Sequence, residues 1–245
     1  MIAARWGKWR RSALVGVAVL ALAVAGACGG DDDGGASGSG SDGDSNLITD
    51  PGFENGGSGW KARGGPPTIS ADQTKSGGSS ALLQMRDTAE SPTTQSYSVF
   101  QDITIGEVPE FLSFEYFVGH WVKGTRLQYI EATVVVTGKD AQLPECAGEP
   151  CPNFQLRYLL AGVETDPVAV LNAGFIVVSS DEPVEGEWVH FEAPVADDFA
   201  ELWGQLPDEV ESIRLLVDVR YDNREPEEAP LEADVYIDDV YLGAP

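Results

Sequence analysis

Leu127-Gln128-Tyr129-Ile130-Glu131-Ala132-Thr133-Val134-Val135-Val136-Thr137 is the stretch on which the fold turns. Side chains alternate sides along a strand. Ile130, Ala132, Val134 and Val136 therefore form one apolar face, and Tyr129, Glu131 and Thr133 form the other. The run is closed by Gly138-Lys139-Asp140, a sequence that turns easily. A strand with one oily and one polar side needs a second layer over the oily side.

The same pattern recurs in both directions along the chain. Phe154, Leu156, Tyr158 and Leu160 oppose Gln155 and Arg157, and Ile213, Leu215, Val217 and Val219 oppose Arg214, Asp218 and Arg220. Tyr97, Val99, Ile103 and Ile105 share one parity, and Glu115 opposes Phe114 and Tyr116 in a segment ending at Gly119. Shorter candidates lie at 68–71, 81–86, 169–179, 187–193 and 233–242. Nine or ten strands separated by Gly, Pro, Asn and Asp predict an all-β, two-sheet antiparallel β-sandwich. One short crossover helix is expected, because Phe199, Leu202, Trp203 and Leu206 recur at helical spacing behind Asp197 and Asp198 and before Pro207. Trp203 is expected in the core.

The N-terminus predicts export. Arg5, Lys8, Arg10 and Arg11 precede an apolar run, Ala13 to Ala27, and no acid occurs before Asp31. At about 15 residues the run is short for a membrane-spanning helix, which needs about 20. Ala25-Gly26-Ala27-Cys28 resembles the lipobox of bacterial lipoproteins, which implies lipidation of Cys28 after removal of residues 1–27; ordinary signal cleavage is the competing reading. Residues 28–45 are almost wholly Gly, Ser and Asp and form a flexible tether. Residues 46–245 form one folded domain.

All 40 acidic residues follow Cys28 and four of the 15 basic ones precede it, so the exported part carries a formal charge near −29. That charge argues against nucleic acid and an anionic bilayer face as partners, and suits a neutral ligand or a divalent cation. Cys146 and Cys151 bracket Ala147-Gly148-Glu149-Pro150, which in an exported chain predicts a disulfide clipping a short loop, contributing about 2 kcal/mol.

Asn46-Leu47-Ile48-Thr49-Asp50-Pro51-Gly52-Phe53-Glu54-Asn55-Gly56 with Gly59-Trp60, and Val235-Tyr236-Ile237-Asp238-Asp239-Val240-Tyr241-Leu242 near the end, together resemble a known family. They are similar to the opening and closing segments of the carbohydrate-binding modules grouped with the cellulose- and xylan-binding domains of bacterial glycanases. Ser76-Gly77-Gly78-Ser79-Ser80-Ala81-Leu82 and Trp188-Val189-His190-Phe191 resemble internal segments of the same modules. The resemblance spans 46–242 and implies a galactose-binding-like jelly roll with its terminal strands adjacent. It also implies a structural Ca2+ held by Glu54 and Asp238, with Asp239 the less favoured ligand. Calcium takes six to eight hard oxygens from carboxylates and carbonyls, which these residues and the 55–58 loop can offer. Phe53, Trp60 and Trp188 are expected as core anchors.

In such modules the sugar lies across a sheet face or at loop tips. Pyranose rings pack their C–H faces on aromatic rings while their hydroxyls need donors and acceptors. The polar strand faces offer Glu115, Glu131, Gln155, Arg157, Arg214 and Asp218, with Tyr129 as the ring and Trp121, beside His120, on an exposed loop after Gly119. The expected function is non-catalytic binding of a polysaccharide or oligosaccharide at the cell envelope. A surface protein is the alternative partner, and a glycoside-acting enzyme the alternative activity. His120 and His190 fall in different segments, and no nucleophile elbow, His-Glu-x-x-His or phosphate loop occurs.

Overall fold

The computed structural model describes residues 46–245 except 64, 139–144, 147–148, 151–152, 164–171, 226, 229 and 245, with backbone alone at 145–146 and 149–150. The leader, the tether, Cys28 and Cys151 lie outside the described residues, as does the side chain of Cys146. Thirteen strands and one helix follow in chain order. They are β1 (Lys61–Ala62), β2 (Thr68–Ser70), β3 (Ser80–Asp87), β4 (Gln95–Ile103), β5 (Phe111–Val122), β6 (Gln128–Gly138), β7 (Glu145–Cys146), β8 (Glu149–Pro150), β9 (Asn153–Ala161), β10 (Ala173–Val177), β11 (Trp188–Ala193), α1 (Val195–Trp203), β12 (Val210–Tyr221) and β13 (Leu231–Gly243).

They build the expected all-β two-sheet sandwich of jelly-roll type. One sheet has six strands in the order β1-β4-β12-β6-β9-β10, the other five in the order β11-β5-β13-β3-β2, and β7-β8 is a separate hairpin. Every pairing is antiparallel except β9 with β10. Between the sheets lie the apolar faces read from the sequence: Ile130, Ala132, Val134 and Val136 meet Ile213, Leu215, Val217, Val219, Phe154, Leu156 and Tyr158 in one buried cluster.

The opening motif knots the entry to the sandwich. Asp50, itself at φ 54°, accepts from the amides of Asn55, Gly57 and Ser58 and from the Asn55 side chain. Phe53 takes φ 59°, a conformation costing an L-residue about 1–2 kcal/mol. The cost places its ring, wholly buried, 5.0 Å from Trp60, which donates Nε1–H to the Asp50 carbonyl. Phe53 and Trp60 are thus the core anchors expected. Asn46 ties the two termini together, its side chain bonding the backbone of Val240 and Leu242.

The helix forms but stops earlier than Pro207. Gly204 adopts φ 83° and ends it after Trp203, so the inward stripe is the buried Val195 and Phe199 with the half-buried Trp203, while Leu202 and Leu206 remain exposed. It docks where β10 carries no side chain. A Cβ on Gly174 would lie 2.6 Å from Leu202 Cδ1 and 3.2 Å from the Trp203 ring. Gly174→Val should therefore cost about 1–3 kcal/mol by overpacking, read as a shift in denaturant midpoint.

Two bulges in the five-stranded sheet overrule simple alternation. In β5 the pairing steps from Val118↔Val235 to His120↔Asp234, so Gly119 is the extra residue. A Cβ there would approach the Tyr236 ring to 3.3 Å. The strand does not end at Gly119 but continues to Val122 with its parity reversed. His120 faces outward and pairs with Glu232 at 2.9 Å, while Trp121 packs against the core. The expected exposed loop is thus corrected to a bulged strand. In β13, Asp239 is the extra residue, at φ 50°.

Candidate functional site

The outer face of the six-stranded sheet can be written down from the register. Residues opposite one another across neighbouring strands form rows. One row runs Lys61, Phe100, Leu216, Thr133, Arg157, Phe175 across β1, β4, β12, β6, β9 and β10. The row on one side is Asp102, Arg214, Val135, Gln155, Ala173, and on the other Ser98, Asp218, Glu131, Leu159, Val177. Six of the residues chosen from sequence, Tyr129, Glu131, Gln155, Arg157, Arg214 and Asp218, are therefore brought to one face. Glu115 and Trp121 are not, because β5 belongs to the other sheet.

The two halves of this face differ. Phe100 and Phe175 are half-buried rings in the central row, on strands four spacings or about 19 Å apart. Each carries a guanidinium: Arg214 lies 4.7 Å from the Phe100 centroid and Arg157 lies 5.1 Å from that of Phe175. Asp102 receives Arg214 Nε–H at 2.6 Å and Lys61 Nζ at 2.9 Å, and the Arg214 bond leads in holding its carboxyl below the usual range.

Between the rings the floor is polar and closed. Glu131 is wholly buried and accepts from Arg157 through both oxygens, Nε–Oε2 being 3.0 Å, and from Arg220 at 3.3 Å. Tyr129 is also wholly buried, packed with Leu159, Val163, Leu127 and Phe175, and donates its hydroxyl to Asp222 at 2.6 Å. Burial first, then the charge of Glu131, drives its pKa upward. The expected sugar platform is thus corrected: the Tyr129 ring is covered and presents no face to a ligand. Three buried polar atoms here have no hydrogen-bond partner: Thr133 Oγ1, Asp218 Oδ1 and Arg220 Nε.

Phe100 and Phe175 were missed in the sequence, though a signal existed for the first. Val99 and Ile103 mark the core parity of β4, which leaves Ser98, Phe100 and Asp102 together on the polar side.

On the five-stranded sheet a second row runs Trp188, Phe117, Tyr236, Leu82, Thr68. Trp188 is corrected from core to this outer face, where its ring lies 5.5 Å from Phe117, itself 6.0 Å from Tyr236. Phe117 and Tyr236 are nearly covered, at 9% and 8% exposure. Trp121 donates Nε1–H to Glu182 at 2.7 Å at one end of this sheet. Glu115 meets Lys75 at 3.1 Å and His190 at 3.0 Å, opposite Asp238.

Asp238 and Asp239 come together beside Gly52, whereas Glu54 turns its carboxylate to Gly77, Gly78 and Ser79. A Cβ on Gly52 would find Asp238 Oδ1 at 3.5 Å, and Asp239 Oδ1 and Glu54 Cγ at 3.9 Å. Each carboxylate has donors: Asp238 takes the amides of Lys75, Ser76 and Asp239, Glu54 those of Gly78 and Ser79, and Asp239 the Ser76 hydroxyl. Asp238 is buried, which pushes its pKa up against those amides. Among the described residues no three carboxylate, His or Cys side chains gather closely enough to hold a metal. The residues fit a cation only with backbone carbonyls completing its shell.

No family model and no curated protein matches this chain. Solved structures similar to it include TmCBM61 in complex with β-1,4-galactotriose, 13% identical with TM-score 0.39 over 80% of this chain and 97% of that one. A carbohydrate-binding module specific for non-crystalline cellulose is 11% identical, with TM-score 0.38 over 80% and 94%. The K3 cleaved adhesin domain of Lys-gingipain from Porphyromonas gingivalis is 13% identical, with TM-score 0.37 over 80% and 97%. At these values they are likenesses of shape and bring no residue correspondence.

Proposed function

We propose that this chain is a non-catalytic binding protein of the cell envelope whose six-stranded sheet offers its outer face to a neutral oligosaccharide. The observation that carries the reading is the pair of rings, Phe100 and Phe175, in one row with the partnerless Thr133 Oγ1 between them. Rings at that separation suit more than one pyranose, and Gln155, Arg214, Asp102 and Lys61 supply donors and acceptors along the row. A formal charge near −29 beyond Cys28 disfavours an anionic glycan. Glu131 and Asp218 face each other across β6 and β12, but both are buried and Glu131 is held by two guanidiniums. That placement serves structure and leaves neither free to attack a glycosidic bond. The residues around Cys28 support lipid anchoring, with the tether holding the sandwich away from the membrane, and Cys146 and Cys151 are proposed as a disulfide.

Affinity electrophoresis of residues 46–245 against a panel of soluble polysaccharides tests this. Retardation by at least one neutral polymer and none by acidic ones is expected; free migration through every neutral gel would refute it.

A second reading places a surface protein on the five-stranded sheet, favoured by the row Trp188, Phe117, Tyr236. It is the weaker of the two, since of the apolar residues in that row only Trp188 and Leu82 offer appreciable area.

Structural calcium held by Asp238 and Asp239, with Glu54 on the adjoining 77–79 turn, is proposed on the approach of the two aspartates at Gly52. Millimolar calcium should raise the Tm of metal-free protein, since a ligand that binds only the folded state stabilises it. Glu54→Gln should blunt the response, and a Tm indifferent to both calcium and chelator would remove the metal from the account.

A further inference from the structure

We infer that Asp218 and Glu131 share one proton in the folded chain, Asp218 holding it and donating it to Glu131. The inference is independent of any ligand. The two residues are directly opposite in the β6–β12 pairing and both are buried to within 1%. Like charges so placed repel, and in a closed site they cannot both ionise cheaply.

The charges around them can be counted strand by strand. β6 supplies Glu131, with Tyr129 and Thr133 beside it; β9 supplies Arg157; β12 supplies Asp218 and Arg220, followed by Asp222. On the β4 side Asp218 meets Ser98, with Ser96 and Phe100 flanking; the nearest charge there is the exposed Arg63, which donates to the Ser96 hydroxyl at 2.8 Å. β10 adds only Phe175 and Val177. Within the covered part of the face three carboxyls thus meet two guanidiniums, Arg63 staying in solvent at its edge. Asp222 is engaged by Arg220 at 2.6 Å and by the Tyr129 hydroxyl, and Glu131 is engaged by both arginines. Asp218 is the carboxyl left over: no donor reaches its Oδ1. A proton there removes the surplus negative charge and converts a repulsion into a hydrogen bond. Burial, and next the charge of Glu131, push the Asp218 pKa up, in the same direction.

The sign for stability follows. A carboxyl whose folded pKa exceeds its unfolded value contributes fully below the unfolded pKa, about 3.9, and loses that contribution as pH rises through the folded one. The other acids add their own pH dependence, so the comparison is with Asp218→Asn, which keeps the shape and donates to Glu131 at every pH. Denaturant unfolding of the purified protein and of D218N at constant ionic strength between pH 4.5 and 8.5 is the test. The unfolding constant of the wild type should rise relative to that of D218N by about tenfold per pH unit until the folded pKa is passed. A ratio unchanged across the range would overturn the inference. Infrared spectroscopy of the wild type gives a second reading that needs no variant. A protonated-carboxyl C=O band should persist at pH 7, where every solvated acid is ionised, and its absence would equally overturn it.

Discussion

Arg157→Met will destabilise the domain by about 3–5 kcal/mol, the largest effect expected of any single substitution on the polar face. Arg157 is buried, grips both oxygens of the fully buried Glu131 and lies over Phe175. Methionine preserves much of the side chain's length and its contact with the ring, so the loss isolates the charge. Arg220, at 3.3 Å, would be the one cation left on Glu131. The double variant R157M/E131Q should recover most of the loss, since the cost comes from a stranded charge and not from packing; a double-mutant cycle by urea unfolding reads the coupling. A loss below about 1 kcal/mol for R157M would mean that solvent reaches Glu131.

Phe100→Ala with Phe175→Ala will abolish retention on whichever neutral polysaccharide retards the wild type. Each ring alone should weaken binding at least about tenfold, or about 1.4 kcal/mol. Both rings are half-buried on an outer face and outside the main core, Phe175 packing only on the small Tyr129 cluster, so the unfolding midpoint should move less than binding does. Trp188→Ala, on the opposite sheet, is the control and should bind as the wild type. Loss of retention in W188A with retention intact in F100A/F175A would transfer the site to the five-stranded sheet.

The layers of this fold could be read from the chain because alternation is written in it. Ile130, Ala132, Val134 and Val136 need only their own spacing to declare a face, and the strands around them declare theirs likewise. Register is not written there. Nothing local announces that Phe100, Leu216, Thr133, Arg157 and Phe175 fall in one row, for that depends on five strands pairing at once. Bulges are harder still. One extra residue at Gly119 reverses the parity of Trp121, where the sequence reads as the end of a strand, and one at Asp239 separates it from Asp238, where the sequence reads as an unbroken strand. Tyr129 illustrates a third limit. It does lie on the polar face, as its parity requires, but Phe175 and Leu159 arrive from neighbouring strands and close over it.

Backbone amide NMR during titration with the neutral oligosaccharide that binds is the most direct measurement of where this protein holds its ligand. Shift changes should cluster at Phe100, Leu216, Thr133, Gln155, Arg157 and Phe175, crossing the strands in a line. Perturbations gathered instead at Trp188, Phe117 and Tyr236, or confined to the loop ends, would contradict the assignment of the six-stranded face.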